Sequence, residues 1–280
     1  MALIELKEIS KLYGFGDATT LALDEVELNV EQGEFIAFMG PSGSGKTTLM
    51  NTIGLLDKPT HGHYMLDGQE VARLRPAQHA RLRRDWIGFI FQSYNLLPKL
   101  NILDNVALPL AYRGMPPVRR AHKASDMLEL VGMRDREYYM PHQLSGGQAQ
   151  RAAIARALIN QPTILIADEP TGNLDSANSK VVMELLADIH RQNNTVLLVT
   201  HNPELTRYAS RVIYMYDGRV VGDEKTPIGS VAKGAKRIYN RMHRQTDNDV
   251  VSGVSALMKE IPGKELAQTP RRKRGRRKKK

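Results

Sequence analysis

The chain has 280 residues, 41% of them hydrophobic and 25% charged, as in a soluble globular protein of one large domain or two small ones. It has no cysteine, which excludes a disulfide scaffold, thiol catalysis and cysteine-ligated metal sites. The net charge of +10 is uneven: residues 1–224 hold 23 basic and 26 acidic side chains, a net −3, and residues 225–280 hold 17 and 4, a net +13. The body is therefore not the basic nucleic-acid-binding domain that the pI alone suggests.

The first residues, MALIELKEIS, place Glu5 and Glu8 where a signal peptide needs an apolar core. No uncharged apolar run reaches the ~18 residues needed to cross a bilayer. A cytoplasmic chain is expected, with any membrane role peripheral.

Phe35–Met39 is a short apolar run that reads as a strand. It leads into Gly40-Pro41-Ser42-Gly43-Ser44-Gly45-Lys46-Thr47, with a helix-like stretch from Lys46 to Leu56. This is the pattern G-x-x-x-x-G-K-[ST] between a strand and a helix. Its glycines let successive N–H groups turn toward phosphate oxygens, and the helix N-terminus adds partial positive charge. Lys46 is placed to reach the β- and γ-phosphates of ATP, and the Thr47 hydroxyl to ligate Mg²⁺. Thr48 offers a further donor. His61 and His63 read as exposed histidines of a hairpin, since no third metal ligand lies nearby.

Ile87–Phe91 is another strand, followed by Gln92. A carboxamide there can ligate Mg²⁺ through its oxygen and sense the γ-phosphate. Between Leu103 and Asn160 strand signals fade, and Ala121–Val131 and Gly146–Ile159 carry helical spacing. Ser145-Gly146-Gly147-Gln148 opens the second of these helices and forms a second anion site. Thr163–Ala167 and Thr195–Val199 are apolar and β-branched, as strands of a parallel sheet buried on both faces are. Asp168 and Glu169 close the first of them. Asp168 suits Mg²⁺, and Glu169, on the opposite face by strand alternation, suits a general base. His201 follows the second strand, within reach of a γ-phosphate or attacking water. An α/β core with a helical insertion accommodates these elements.

Two short strands surround Asp217-Gly218. Beyond them Val231, Ala235, Ile238 and Met242 recur at helical spacing. Val250, Val254, Leu257, Met258 and Ile261 suggest another short helix. Pro262, Gly263 and Pro270 precede RRKRGRRKKK, nine basic residues in ten, expected to be disordered.

Leu144-Ser-Gly-Gly-Gln-Ala-Gln-Arg151, after the phosphate loop and before Asp168-Glu169, resembles the signature of ATP-binding cassette (ABC) nucleotide-binding subunits. The resemblance runs from about Leu3 to Asp223. It implies a P-loop NTPase core of mostly parallel sheet, with an antiparallel β part and a helical subdomain at about 95–160. It implies two chains head to tail, each phosphate loop facing the other chain's Ser145–Gly147, so that a homodimer holds two ATP sites. Tyr13 matches the aromatic that stacks on adenine, Gln92 the glutamine loop and Asp175 the aspartate loop at the dimer interface. Glu169 takes the catalytic-base position and His201 the switch-histidine position. Asn95–Pro98, Asp104–Val106, Leu108–Gly114 and Thr171–Ser176 resemble the lipoprotein-releasing and macrolide-efflux exporters.

That resemblance implies an ATPase driving a separate membrane permease at the cytoplasmic face of the inner membrane, for export or extraction of a lipophilic substrate. Leu96–Pro98 reads equally as a permease contact or as ordinary packing. A cell-division or ribosome-associated ATPase of the same family is the rival reading. On this division residues 1–223 are the cassette, 224–262 a helical extension and 263–280 a basic tail. The tail reads as a solvated extension, as a contact for anionic lipid head groups or the permease, or as a binder of nucleic-acid or ribosome phosphates, with lipid or permease contact favoured. It carries no interleaved aromatics, which argues against nucleic acid.

Overall fold

The computed structural model describes residues 2–14, 19–235 and 237. Two long strands open the chain, β1 (Ala2–Tyr13) and β2 (Thr20–Glu31). They pair antiparallel, and with β4 (His61–Leu66) and β5 (Gln69–Glu70) form a sheet of order β2-β1-β4-β5. A second sheet contains β3 (Phe35–Met39), β6 (Ile87–Phe91), β7 (Ile164–Asp168), β8 (Thr195–Val199), β9 (Arg211–Tyr216) and β10 (Arg219–Lys225). Its order is β10-β9-β3-β8-β7-β6, parallel throughout except at the β9–β10 hairpin. Asp217 and Gly218 turn that hairpin with φ of 44° and 76°, as a tight right-twisted turn requires.

The strands expected to be buried on both faces are so. Ile36 and Phe38 of β3 face the antiparallel sheet and α1 (Lys46–Ile53), while Phe35, Ala37 and Met39 join a second core. Ile164 and Ile166 of β7, and Leu197 and Val199 of β8, divide from their neighbours in the same way. This second core packs under α5 (Gly146–Leu158) and α6 (Ser176–Arg191). Two-sided burial explains why these segments read as unbroken apolar runs.

α1 stops at Ile53, short of the Leu56 read from sequence. Gly54 follows because the Phe89 ring occupies the space of any side chain there, and Leu55 turns left-handed at φ 56°.

The helical insertion lies between β6 and β7. It comprises α3 (Ile102–Tyr112), α4 (Pro117–Leu130) and α5, with its own core around Ile102, Val106, Leu110, Leu128 and Ile159. α2 (Pro76–Trp86) leads into β6 from the other side. Asn105 is fully buried and organises the loop before α3. It accepts the Leu97 N–H at 2.7 Å and donates to the Leu97, Leu100 and Asn101 carbonyls at 2.9–3.1 Å. In this loop Leu96 packs on the insertion's core while Leu97 stays 45% exposed.

After β10 the chain stays on the body. Ala232 and Ala235 are buried in the second core. Glu224 accepts the Lys233 and Gly234 N–H groups at 3.1 Å and the Tyr214 hydroxyl at 2.7 Å, capping a helical turn. Ile238, Met242, the second apolar set and the basic run lie outside the described residues. No helix among the described residues is long and apolar enough to cross a membrane.

Candidate nucleotide site

Four parallel strands end at one edge of the large sheet. β3 delivers the loop 40–45, β8 delivers Thr200 and His201, β7 delivers Asp168 and Glu169, and β6 delivers Gln92. Ligands of open α/β sheets bind at this carboxyl edge.

The loop's glycines are fixed by their surroundings. A Cβ on Gly45, which has φ 94°, would lie 2.6 Å from the Ala22 carbonyl, while Gly43, at φ 79°, has open space beside it. Gly45 is also the N-cap of α1 and has no side chain to satisfy the first-turn N–H groups. Those donors are left for a ligand. Lys46 is only 8% exposed and donates to the Gly40 carbonyl at 2.9 Å, the Pro41 carbonyl at 2.7 Å and Ser44 Oγ at 3.2 Å. Burial lowers its pKa, against the pull of Glu169 and Asp168. The result is a desolvated cation held by neutral acceptors at a mouth lined with N–H groups, a fit for phosphate. Ser42 and Thr48 lie in the same loop and first helical turn.

Asp168 is the last residue of β7, and Thr47 Oγ1 donates to its Oδ2 at 3.5 Å. Burial, and then Glu169, push the Asp168 carboxyl up, opposed by Thr47 and Lys46. A carboxylate short of positive charge beside a hydroxyl is a hard-oxygen donor set suited to Mg²⁺.

Glu169 lies beyond the strand. Its direction comes from a left-handed backbone, φ 45°, and not from the strand alternation expected from sequence. Its N–H bonds the Val199 carbonyl at 3.0 Å, which ties it to β8. That brings Glu169 Oε1 within 3.0 Å of His201 Nδ1. With the carboxylate ionised, the proton of this contact sits on Nδ1.

Phe91 pairs with Asp168 in register, so Gln92 follows at the level of the acidic pair. Its Nε2 donates to Asn173 Oδ1 at 3.4 Å. Ser145 caps α5, accepting the Gln148 N–H at 3.3 Å, while Gln148 returns a bond to the Ser145 N–H at 2.9 Å. Gly146 and Gly147 form the first turn, and a Cβ on Gly147 would overlap the Asn178 side chain. Asp175 caps α6 by accepting the Asn178 N–H at 2.8 Å, which keeps its carboxyl low.

Tyr13 is 41% exposed at the end of β1. Its hydroxyl donates to Asp57 at 2.6 Å, and the Lys11 ammonium lies 4.8 Å from the ring centroid. A Thr48 contact links it to the first turn of α1. Sequence reasoning missed Asp57, which lies 44 residues from Tyr13 and carries no motif of its own. His61 and His63 are exposed, and the His63 ring meets Glu70 at 3.0 Å.

The ABC transporter family model matches residues 23–172. A macrolide export ATP-binding/permease protein, MacB, of Hyphomonas neptunium is 41% identical over 91% of the chain, which spans 44% of that protein. An ABC transporter ATP-binding protein of Thermotoga maritima is 46% identical over 79% of the chain and 95% of its own length. Among solved structures, the dimeric ATP-binding cassette MJ0796 bound to ADP and Pi is 43% identical. Its TM-score is 0.74, over 79% of this chain and 98% of that one.

Proposed function

Because the chain belongs to the ABC transporter family, we propose that it is an ATPase that dimerises on MgATP and powers a membrane permease at the cytoplasmic face of the inner membrane. The observation that carries this reading is one sheet edge. It holds an uncapped glycine-loop helix with a buried lysine, together with a Glu169–His201 pair at 3.0 Å.

Lys46 and the loop N–H groups bind and orient the β- and γ-phosphates, exchanging neutral acceptors for charged ones. Thr47, Asp168 and Gln92 would hold Mg²⁺, which when bound would neutralise charge on the phosphate oxygens. Glu169 takes the proton of the attacking water as general base. His201 fixes that carboxylate through Nδ1 and presents the rest of its ring toward the γ-phosphate. Tyr13, steadied by Asp57, stacks on adenine.

Ser145, Gly146, Gly147 and Gln148 carry no charge, and they serve the nucleotide of the partner subunit, with Asp175 at the shared interface. The dimeric state of the MJ0796 cassette supports this arrangement. The name of the Hyphomonas relative, a macrolide export protein, supports export as the direction of transport. A cleft of about 670 Å³ between the core and the helical insertion suits the permease. Phe89, Phe91, Leu108 and a 72% exposed Tyr112 line it, beside Arg81 and Arg84. Residues 1–223 form the cassette on this reading. Residues 224–262 and the basic 263–280 form an extension whose charge suits anionic lipid, and whose basic run lacks the aromatics that base stacking on nucleic acid uses.

The test is phosphate release by the full chain and by Glu169→Gln. Magnesium-dependent turnover should fall about 10²–10⁴-fold in the variant, as for loss of a general base, with ATP-bound dimer accumulating in sedimentation. Undiminished hydrolysis by Glu169→Gln would remove Glu169 as the base.

A further inference from the structure

We infer that Asn173 is a positioning residue for Gln92, aiming its carboxamide oxygen at the magnesium position and registering it to the loop that ends at Asp175; this rests on the reading of Gln92 proposed above. A carboxamide presents an oxygen or a nitrogen depending on a half-turn of one bond, and only the oxygen ligates a hard cation. Asn173 Oδ1 accepts from Gln92 Nε2 at 3.4 Å, which assigns the nitrogen to Asn173 and leaves Oε1 as the atom that would meet a cation. Asn173 Nδ2 meanwhile donates to the Gln92 main-chain carbonyl at 3.1 Å. One side chain thus holds both ends of Gln92.

The neighbouring glycine makes the room. Gly172 is absent from the left-handed glycines, so its backbone does not need to be glycine. Yet a Cβ there would stand 2.6 Å from Gln92 Nε2 and 3.0 Å from its Cδ. Gly172 is required for the close approach of Gln92.

Both partners are braced. The Gly172 N–H bonds the Glu169 carbonyl at 3.0 Å and the Leu174 N–H bonds the Thr171 carbonyl at 3.1 Å. The segment from Glu169 to Asp175 is therefore one folded unit. On the other side Tyr94 and Asn95 hold left-handed φ of 59° and 51°. Arg156 of α5 grips both carbonyls, that of Tyr94 at 2.7 Å. A Cβ on Gly146 would lie 2.7 Å from the Tyr94 hydroxyl. The loop that begins at Glu169 holds Gln92 by side chain and main chain alike, and α5 fixes the Tyr94 and Asn95 carbonyls just beyond it.

The experiment is ATP hydrolysis by the full chain, titrated with Mg²⁺ at fixed ATP, for Gln92→Ala, Asn173→Ala, Gly172→Ala and Gln92→Ala/Asn173→Ala. Loss of a group that orients a metal ligand costs about 10–100-fold in metal affinity. Asn173→Ala and Gly172→Ala should each raise the half-saturating Mg²⁺ about tenfold, with melting temperature and magnesium-free binding of a fluorescent ATP analogue unchanged. The double variant should be no worse than Gln92→Ala alone. A shifted Gln92→Ala beside an unshifted Asn173→Ala, or an additive double variant, would overturn this inference alone. An unshifted Gln92→Ala would overturn the reading of Gln92 and this inference with it.

Discussion

Two glycine-containing helix starts face the solvent in this chain, and they are built differently. At residues 40–47 the N-cap is Gly45, without a side chain, and the helix opens on a buried Lys46 near Asp168, whose carboxyl burial holds above its ordinary value. At residues 145–148 the N-cap is Ser145, which together with Gln148 satisfies part of the helix's own donors. No charged side chain stands among its four residues. The first is a phosphate cradle with a cation, and with the proposed metal ligands and base at hand. The second is a neutral, partly self-satisfied surface. Its residual N–H groups and dipole can complete a charged site but cannot found one. On the proposed reading, this difference is why each site calls on a second copy of the chain.

Variants break that comparison in graded steps. Lys46→Ala should cost most, about 10²–10³-fold in turnover for a lost charge-stabilising donor, with weaker nucleotide binding as well. Phosphate release and an ATP-binding titration measure both effects. Ser145→Arg should lower turnover about 10²-fold by blocking the second surface. Its ATP binding at low protein concentration should stay within about twofold, since the cradle is untouched. Equal loss of binding in both variants would erase the distinction drawn here.

Ser145→Ala is milder. It removes a cap worth about 1 kcal/mol, or roughly 2–4 °C of melting temperature in a domain of this size, and should reduce dimerisation only slightly. Asp168→Asn acts on stability in the opposite direction. The native carboxyl is held above its ordinary value by burial and by Glu169. Ionising it therefore destabilises the fold once the pH passes the unfolded value of about 4. The variant should be inactive yet melt higher than the parent at pH 7.5, and the gain should fade toward pH 4. Thermal melts across that range check the sign.

The parallel sheet was legible because strands buried on both faces are continuous apolar runs, as Phe35–Met39 and Thr195–Val199 are. The cradle was legible because its chemistry depends on local spacing from Gly40 to Thr47. The two long antiparallel strands were not. β1 and β2 carry register shifts, with Glu8 and Glu25 left-handed at φ 53° and 47°, which breaks the alternation that marks a half-buried strand. Nor did sequence disclose the partners of the site residues. Asp57 holds Tyr13 across 44 residues and Asn173 meets Gln92 across 81. The first pair forms because the loop between α1 and β4 lies beside the end of β1, and the second because β6 and β7, distant in the chain, end at the same edge. The turn of Glu169 was misread for a related reason, since β7 stops one residue earlier than alternation assumes.

The central claim is that each ATP lies between the cradle of one chain and the neutral helix start of the other. Mixing Lys46→Ala chains with Ser145→Arg chains tests it directly. A heterodimer of the two holds one site made of an intact cradle and an intact Ser145 surface. Hydrolysis in the mixture should therefore rise well above that of either variant alone. A mixture no more active than its components, with heterodimers demonstrated, would contradict the account.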